Sequence, residues 1–195
     1  MFGCGGLAKE VTLLVEDINN AGERKLNIAG YVVATREDTT FLGKPVVAED
    51  DFLQGLDKED STSVVLAVGD PAVRRSLVDK LNNYGVAYPT LIHPSSKLHS
   101  FISVGEGSVI CSDVIFSMDI VIGSHCYINL RCSFGHDVQI GDFVQISPHS
   151  LINGNTKIGD DCMIGAASTV YPGVKIGRSC TVGIGSVVLK DVPEA

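Results

Sequence analysis

The stretch at residues 158–177 reads IGDDCMIGAASTVYPGVKIG and places an aliphatic residue at every sixth position. The same step continues in both directions without a polar interruption, from residue 92 to residue 188. The residues on it are Ile92, Leu98, Val104, Ile110, Phe116, Ile122, Ile128, Phe134, Ile140, Ile146, Ile152, Ile158, Ile164, Val170, Ile176, Val182 and Val188. Because such residues make up roughly a quarter of an average protein, chance does not produce this run.

Two further positions of the six-residue repeat are also restricted. The residue four places after each aliphatic is nearly always small or β-branched, as at Cys132, Ser150 and Thr156. The residue directly after the aliphatic is often glycine. A period of six fits neither an α-helix nor a simple alternating strand. It predicts a prism of three short strands per 18-residue coil, with coils stacked about 4.8 Å apart. Residues 92–188 are long enough for between five and six coils.

The first ninety residues show a different organisation. Helices are predicted over residues 8–22 and over 70–85, where Asp70 is the expected N-cap and Pro71 the first helical residue. The segments LNIAGYVVAT (26–35) and STSVVLAVGD (61–70) are predicted to be buried strands. Alternating strands and helices indicate a small parallel α/β, Rossmann-like domain. We therefore expect two domains, 1–88 and 89–195.

The N-terminal domain contains a glycine-rich turn, GCGGLA at residues 3–8, which fits the pattern that lets backbone approach a phosphate at a helix N-terminus. Only Met1 and Phe2 precede the turn, so the usual first strand is missing. The segment YVVAT at residues 31–35 also lacks, at its end, the acidic residue that would bind the ribose of NAD. These features favour a nucleotide or nucleotide-sugar site over an NAD site, although a plain tight turn remains open. We expect Gly5, Gly6 and Gly69 to line that site.

Composition narrows the function further. The chain has 195 residues, a net charge of −8 and no basic cluster, which argues against nucleic acid or an anionic membrane as partner. No apolar run is long enough to span a membrane, and the N-terminus does not resemble a secretory signal. Of the six cysteines, Cys126, Cys132, Cys162 and Cys180 occupy the small inward position, and none has the spacing of a metal site. Reduced thiols predict a cytoplasmic protein.

His136 and Asp137 stand side by side inside the repeat, at positions that should face outward. An acid next to an imidazole can orient the ring and raise its basicity, as a general base requires. One coil later, 18 residues on, lies Gly154, whose exposed amide could stabilise an oxyanion. A solvated surface histidine is the alternative; the pairing with Gly154 favours an acyl-transfer site.

Several segments together resemble the bacterial NeuD-type sugar acyltransferases: GCGGLAKEV, VVLAVGDPAVRRSL, LIHPSS, INLRCSFGHDVQIGDF, IGDDCMIGAASTVYPGVKIG and GIGSVVLKDVPE. The resemblance implies a left-handed parallel β-helix and direct transfer from acetyl-CoA, without a metal. By the same resemblance His136 is the general base, Asp137 tunes it, the Gly154 amide serves the thioester oxyanion, and Asn129 lies close to the acceptor.

The resemblance also assigns the cosubstrate channel. Gln145, Ala166, Gly183 and Ile184 match positions that line the pantetheine channel, which runs between neighbouring subunits of a homotrimer. The acceptor is then a nucleotide-linked amino sugar or, alternatively, a hydroxyl of a sialic-acid-like sugar. A non-catalytic trimeric scaffold is a third possibility. A metal site of the γ-carbonic anhydrase type is disfavoured, because His125, His136 and His149 are not spaced as its ligands are.

Overall fold

The computed structural model describes residues 1–22, 25–36, 38–56 and 62–195. It divides into two compact units, Met1–Gly69 with Val73–Pro89 and Asp70–Ala72 with Thr90–Ala195. The predicted strand segment 61–70 begins at a residue outside the described ranges. Among the described helices, none has the length and apolar character needed to cross a membrane.

The described part of the first ninety residues contains three helices, one 3₁₀ turn and a small sheet. The elements are α1 (Gly6–Ala21), α2 (Glu49–Gln54), α3 (Pro71–Leu81), the 3₁₀ turn Asn82–Tyr84, β1 (Tyr31–Val33), β2 (Thr40–Phe41) and β3 (Lys44–Ala48). Helix α1 ends as predicted, with Gly22 left-handed at φ 77°. Strand β1 pairs in parallel with β3, and β2 pairs antiparallel to β3.

No strand precedes α1 among the described residues, as expected, but Phe2 occupies the place of one. Phe2 forms parallel bridges to both Val32 and Leu66. Its amide donates to the Val65 carbonyl at 2.8 Å, and the Gly3 amide donates to the Val32 carbonyl at 2.9 Å. The expected first strand is thus absent from the described residues, and the single buried Phe2 takes its place by bridging two extended segments.

Residues 91–188 form a parallel β-helix with three faces, each a sheet of two- or three-residue strands. The first face consists of β4 (Leu91–Ile92), β6 (Val109–Ile110), β9 (Tyr127–Ile128), β12 (Gln145–Ile146), β15 (Met163–Ile164) and β18 (Thr181–Val182). The second face consists of β7 (Ile115–Phe116), β10 (Ser133–Phe134), β13 (Leu151–Ile152), β16 (Thr169–Val170) and β19 (Val187–Val188). The third face consists of β5 (Ile102–Val104), β8 (Ile120–Ile122), β11 (Gln139–Ile140), β14 (Lys157–Ile158) and β17 (Lys175–Ile176).

The coil length is the predicted 18 residues. Ile146 is paired with Ile128 on one side and with Ile164 on the other. The aliphatic and small positions of the repeat point inward and form one continuous hydrophobic core. Ser108, Ser150, Thr156 and Ser168 are also buried there. Their hydroxyls donate to backbone carbonyls, as from Ser108 to Gly123 at 2.9 Å, so burial leaves them satisfied.

The turns between faces follow a rule that the sequence analysis did not detect. Every sixth residue from Gly107 to Gly185 has a positive φ, and most of these residues are not glycine. Asp113, Asp119 and Asp137 occupy this left-handed place, and aspartate tolerates it better than most side chains. Polar residues at this place are therefore compatible with the fold.

The glycines that follow the aliphatic position are required for a different reason. A Cβ built on Gly165 would lie 2.6 Å from the Ile184 nitrogen and 2.7 Å from the Gly183 carbonyl carbon. The coil above therefore passes too close for any side chain. Gly183 occupies the same place one coil later, but there the nearest atom is the Ser186 hydroxyl at 3.6 Å.

This pair gives a matched test of the stacking constraint. We expect Gly165→Ala to lower the free energy of unfolding by about 1–3 kcal/mol, because backbone rather than a flexible side chain must move. Gly183→Ala should change it by less than about 0.5 kcal/mol. Urea unfolding followed by circular dichroism measures both. Equal effects at the two glycines would contradict the steric account.

Candidate active site

His136 and Asp137 form the turn that follows β10, at the corner between the second and third faces. Asp137 occupies the left-handed place at φ 59°. Its Oδ2 lies 2.7 Å from Nδ1 of His136, and both side chains are exposed. When the neutral ring donates its Nδ1 proton to this carboxylate, the lone pair lies on Nε2. The pair thus presents a proton acceptor to the surface.

Gly154 lies directly against the imidazole, at the position predicted from the 18-residue coil. A Cβ on Gly154 would come within 2.9 Å of Nε2 and 3.0 Å of Cε1 of His136. Any side chain at residue 154 would therefore displace the ring. Gly135 has a related role, since its Cβ would lie 2.4 Å from the Gly154 nitrogen. Two glycines allow the base and the next coil to pack this closely.

The amide of Gly154, which was expected to be exposed, belongs to a residue that is buried in this chain. Within the described residues it donates to no backbone or side-chain acceptor, whereas the next amide, that of Asn155, donates to the His136 carbonyl at 2.8 Å. A hydrogen-bond donor next to a proton acceptor is the arrangement that acyl transfer uses.

The remaining β-helix candidates lie elsewhere on the chain. Asn129, Ala166, Gly183 and Ile184 belong to turns at the corner between the first and second faces, and Gln145 begins β12 on the first face. Asn129 is buried and its Oδ1 accepts the Leu130 amide at 2.7 Å, whereas Ile184 is 83% exposed. A face of six residues separates these turns from His136 by up to roughly 20 Å. One chain alone does not bring the two groups together.

In the N-terminal unit, the glycine-rich turn leads directly into α1, with Gly5 at the N-cap. Gly3 has φ 110° and its Cβ would lie 2.6 Å from the Ala67 carbonyl oxygen, so this position requires glycine. Around Gly5, Gly6 and Gly69, in contrast, no atom lies within 4 Å of an added Cβ. Because Phe2 and Leu66 are parallel neighbours, the turns that follow them lie at the same edge of the sheet.

Arg74 is a residue that sequence reasoning missed. It is only 2% exposed, and its Nη1 donates to the carbonyls of Val68 at 2.7 Å and Gly69 at 2.9 Å. An arginine buried in this way fixes the backbone of the loop that carries Gly69. The helical pattern of α3 gave no signal for it, because neighbouring Arg75 looks the same in sequence.

The cysteines of the β-helix have the structural role that was predicted. Cys126, Cys132, Cys162 and Cys180 are buried. Their thiols donate to carbonyl oxygens of the following coil, as from Cys162 to Gly177 at 3.0 Å. Burial raises the pKa of Cys132 and of Cys162 to about 11. Among the described residues, no group of three or more His, Cys, Asp or Glu side chains could hold a metal ion.

Thiol labelling tests this assignment. In the native protein at pH 8 we expect iodoacetamide to react only with Cys4, because the other five thiols are buried and a thiol of pKa about 11 is almost fully protonated there. Unfolding in guanidinium chloride should make all six reactive, as counted by intact-mass spectrometry. Rapid native labelling of Cys132 or Cys162 would contradict the structure.

Comparison with known proteins agrees with both units. Residues 1–81 match the model of the PglD N-terminal domain, and residues 155–190 match that of the hexapeptide repeat of succinyl-transferase. A search of curated protein sequences found no match.

Three solved structures are similar over nearly the whole chain. Perosamine N-acetyltransferase from Caulobacter crescentus, a histidine-to-asparagine variant in complex with CoA and GDP-perosamine, has 31% identity and a TM-score of 0.88, covering 100% of this chain and 89% of its own. The acetyltransferase domain of PglB from Neisseria gonorrhoeae, in complex with acetyl coenzyme A, has 27% identity and a TM-score of 0.85, covering 98% and 90%. WeeI from Acinetobacter baumannii has 28% identity and a TM-score of 0.86, covering 100% and 92%.

Fold and site together define an acyltransferase of the hexapeptide-repeat class. With 31% identity to a sugar N-acetyltransferase over the whole chain, the protein belongs to the PglD-like sugar acetyltransferases, the family that the sequence segments resembled. This membership confirms the predicted family and enzyme class, and it disfavours the non-catalytic scaffold.

Proposed function

We propose that this chain transfers the acetyl group of acetyl-CoA to the amino group of a nucleotide-linked sugar. The observation that carries the proposal is the contact of the His136–Asp137 pair with Gly154, whose amide has no acceptor among the described residues. Support for the substrates comes from the relatives, which bind CoA with GDP-perosamine or acetyl coenzyme A. The open turn at Gly5, Gly6 and Gly69 is the proposed nucleotide site, and reduced thiols suit a cytoplasmic location.

His136 acts as the general base. Because Nδ1 is held by Asp137 at 2.7 Å, the ring keeps one orientation and one tautomer, with the lone pair on Nε2. As the acceptor nitrogen attacks the thioester carbon, Nε2 takes up the proton that this nitrogen loses. The protonated ring stays paired with the Asp137 carboxylate, which stabilises its charge. The proton then passes to the departing CoA thiolate.

Gly154 supplies the complementary group. The carbonyl oxygen of the thioester becomes negatively charged in the tetrahedral intermediate, and the Gly154 amide can donate to it. Because a side chain at residue 154 would displace the imidazole, one glycine serves both the donor and the base. None of these steps requires acylation of a cysteine.

Replacing the base tests the mechanism. We expect His136→Ala to lower kcat/KM by about a hundredfold or more, the range usual for a general base, with little change in acetyl-CoA binding. The assay is mass-spectrometric detection of the acetylated product with UDP-, dTDP- and GDP-linked 4-amino sugars. His99→Ala changes another exposed histidine and is the control. Full activity of His136→Ala would contradict the mechanism.

The proposed site requires a second copy of the chain, and the surface of the β-helix supports a particular arrangement. On the second face the outward residues Ile115, Leu151 and Val187 are 65%, 39% and 65% exposed. On the third face the outward residues Lys157 and Lys175 are charged. Exposed aliphatic side chains that recur along one face are often covered by another protein surface. The second face is the one we assign to the contact between subunits.

A trimer that packs second faces around its axis brings the two separated groups together. Three prisms arranged in this way touch at their corners. The second–third corner of one subunit, with His136, then meets the first–second corner of the next, with Ala166 and Ile184. The contact is heterologous and closes with three-fold symmetry. Base and cosubstrate channel thus come from different subunits in the proposed enzyme.

Complementation between inactive chains tests this arrangement. His136→Ala removes the base, and Ala166→Trp fills the proposed channel at the other corner. When the two chains are mixed equally, unfolded and refolded, about one quarter of the sites should combine two intact corners. We expect a corresponding recovery of activity from two samples that are inactive alone, each first checked for its oligomeric state by light scattering. No recovery in mixed trimers would show that the site lies within one chain.

A further inference from the structure

The two sides of His136 differ in charge. On the side toward the C-terminus, the turn at the same corner one coil later carries Gly154 and Asn155, which are neutral. On the side toward the N-terminus, the turn at the same corner one coil earlier carries Met118 and Asp119. The Asp137 amide donates to the Met118 carbonyl at 3.0 Å, so these two turns are stacked directly on each other. Asp119 and Asp137 occupy the same left-handed place on consecutive coils, at φ 56° and 59°.

The two carboxylates are not equivalent. Asp137 is engaged by Nδ1 of His136. Asp119 is exposed and, within the described residues, its carboxylate has neither an ion pair nor a hydrogen bond. At the same place of the preceding repeat, in contrast, Asp113 lies 3.8 Å from Nε of Arg131. Asp119 is therefore the carboxylate of this corner that is left for a ligand.

The position of Gly154 limits where each substrate can lie. Gly154 packs over one face of the imidazole and its amide is the proposed donor for the thioester oxygen, so we place the acceptor beside Nε2 on the side of the ring toward Met118 and Asp119. An aliphatic amine is protonated and positively charged near neutral pH, whereas a hydroxyl is neutral. A free carboxylate on the acceptor side favours the charged group.

We propose that Asp119 is a specificity residue that binds the ammonium group of the acceptor and selects an amino sugar over a hydroxyl sugar. The inference rests on the proposed acetyl transfer at His136. The bound ammonium loses one proton to solvent and becomes the neutral amine. It then attacks the thioester carbon, transfers a second proton to His136 as the C–N bond forms, and leaves as the N-acetyl product when the C–S bond breaks.

The test compares Asp119→Asn with wild type, using as probe whichever UDP-, dTDP- or GDP-linked 4-amino sugar the wild type acetylates best. Losing a charge-assisted hydrogen bond should raise the KM for the amino sugar roughly tenfold or more. The kcat and the KM for acetyl-CoA should change less than about twofold. Inhibition by the corresponding 4-hydroxy sugar nucleotide should stay the same, and Asp119→Glu should partly restore the affinity for the amine.

Asp161→Asn is the matched control, because it removes an aspartate from the same left-handed place of the repeat at the corner between the third and first faces, which the proposed site does not use. It should leave the kinetics with the amino sugar unchanged. An unchanged KM in Asp119→Asn, with an active wild type, would overturn the role of Asp119 and leave the transferase intact. An equal fall in the affinity of Asp119→Asn for the amino sugar and for the 4-hydroxy analogue would also overturn the role of Asp119. A wild type that acetylates none of the amino sugars would overturn both proposals.

Discussion

The close approach of successive coils is the constraint on which the rest of this structure depends. Strands pair at an exact offset of 18 residues, and at Gly165 the coil above leaves 2.6 Å where a side chain would begin. Inward positions are then restricted to aliphatic and small residues, and the position after the aliphatic is often restricted to glycine. The turn places and the outward strand position of each repeat are free to vary, and the proposed chemistry uses the turn places.

The fold of the β-helix could be predicted because its signal is repeated. The inward aliphatics recur seventeen times, so single exceptions do not obscure the period. The N-terminal unit offers no such repetition. Phe2 acts as a strand with one paired residue, and no periodic pattern can reveal an element that short. Arg74 was missed for a related reason, since its burial depends on the carbonyls of Val68 and Gly69, which only the folded loop brings together.

For the candidate site, sequence could predict neighbours along the prism but not across it. The 18-residue coil placed Gly154 over His136 by arithmetic alone, and the structure has this contact. The left-handed conformation shared by Asp119 and Asp137 was not foreseen, because tolerance of a positive φ is spread over many residue types here. The separation of Ile184 from His136 could not be predicted, because it depends on which faces meet at each corner, and a period of six does not specify this.

Asp137 and Asp119 illustrate how the repeat supplies function without cost to the fold. Both have the left-handed backbone that every turn of this prism requires, and aspartate adopts it readily. Their side chains point away from the core, so the difference between them is set by one neighbour, the imidazole that engages Asp137. The proposed base, its orienting acid and a second acid can therefore occupy turns stacked at one corner on consecutive coils while the inward pattern continues.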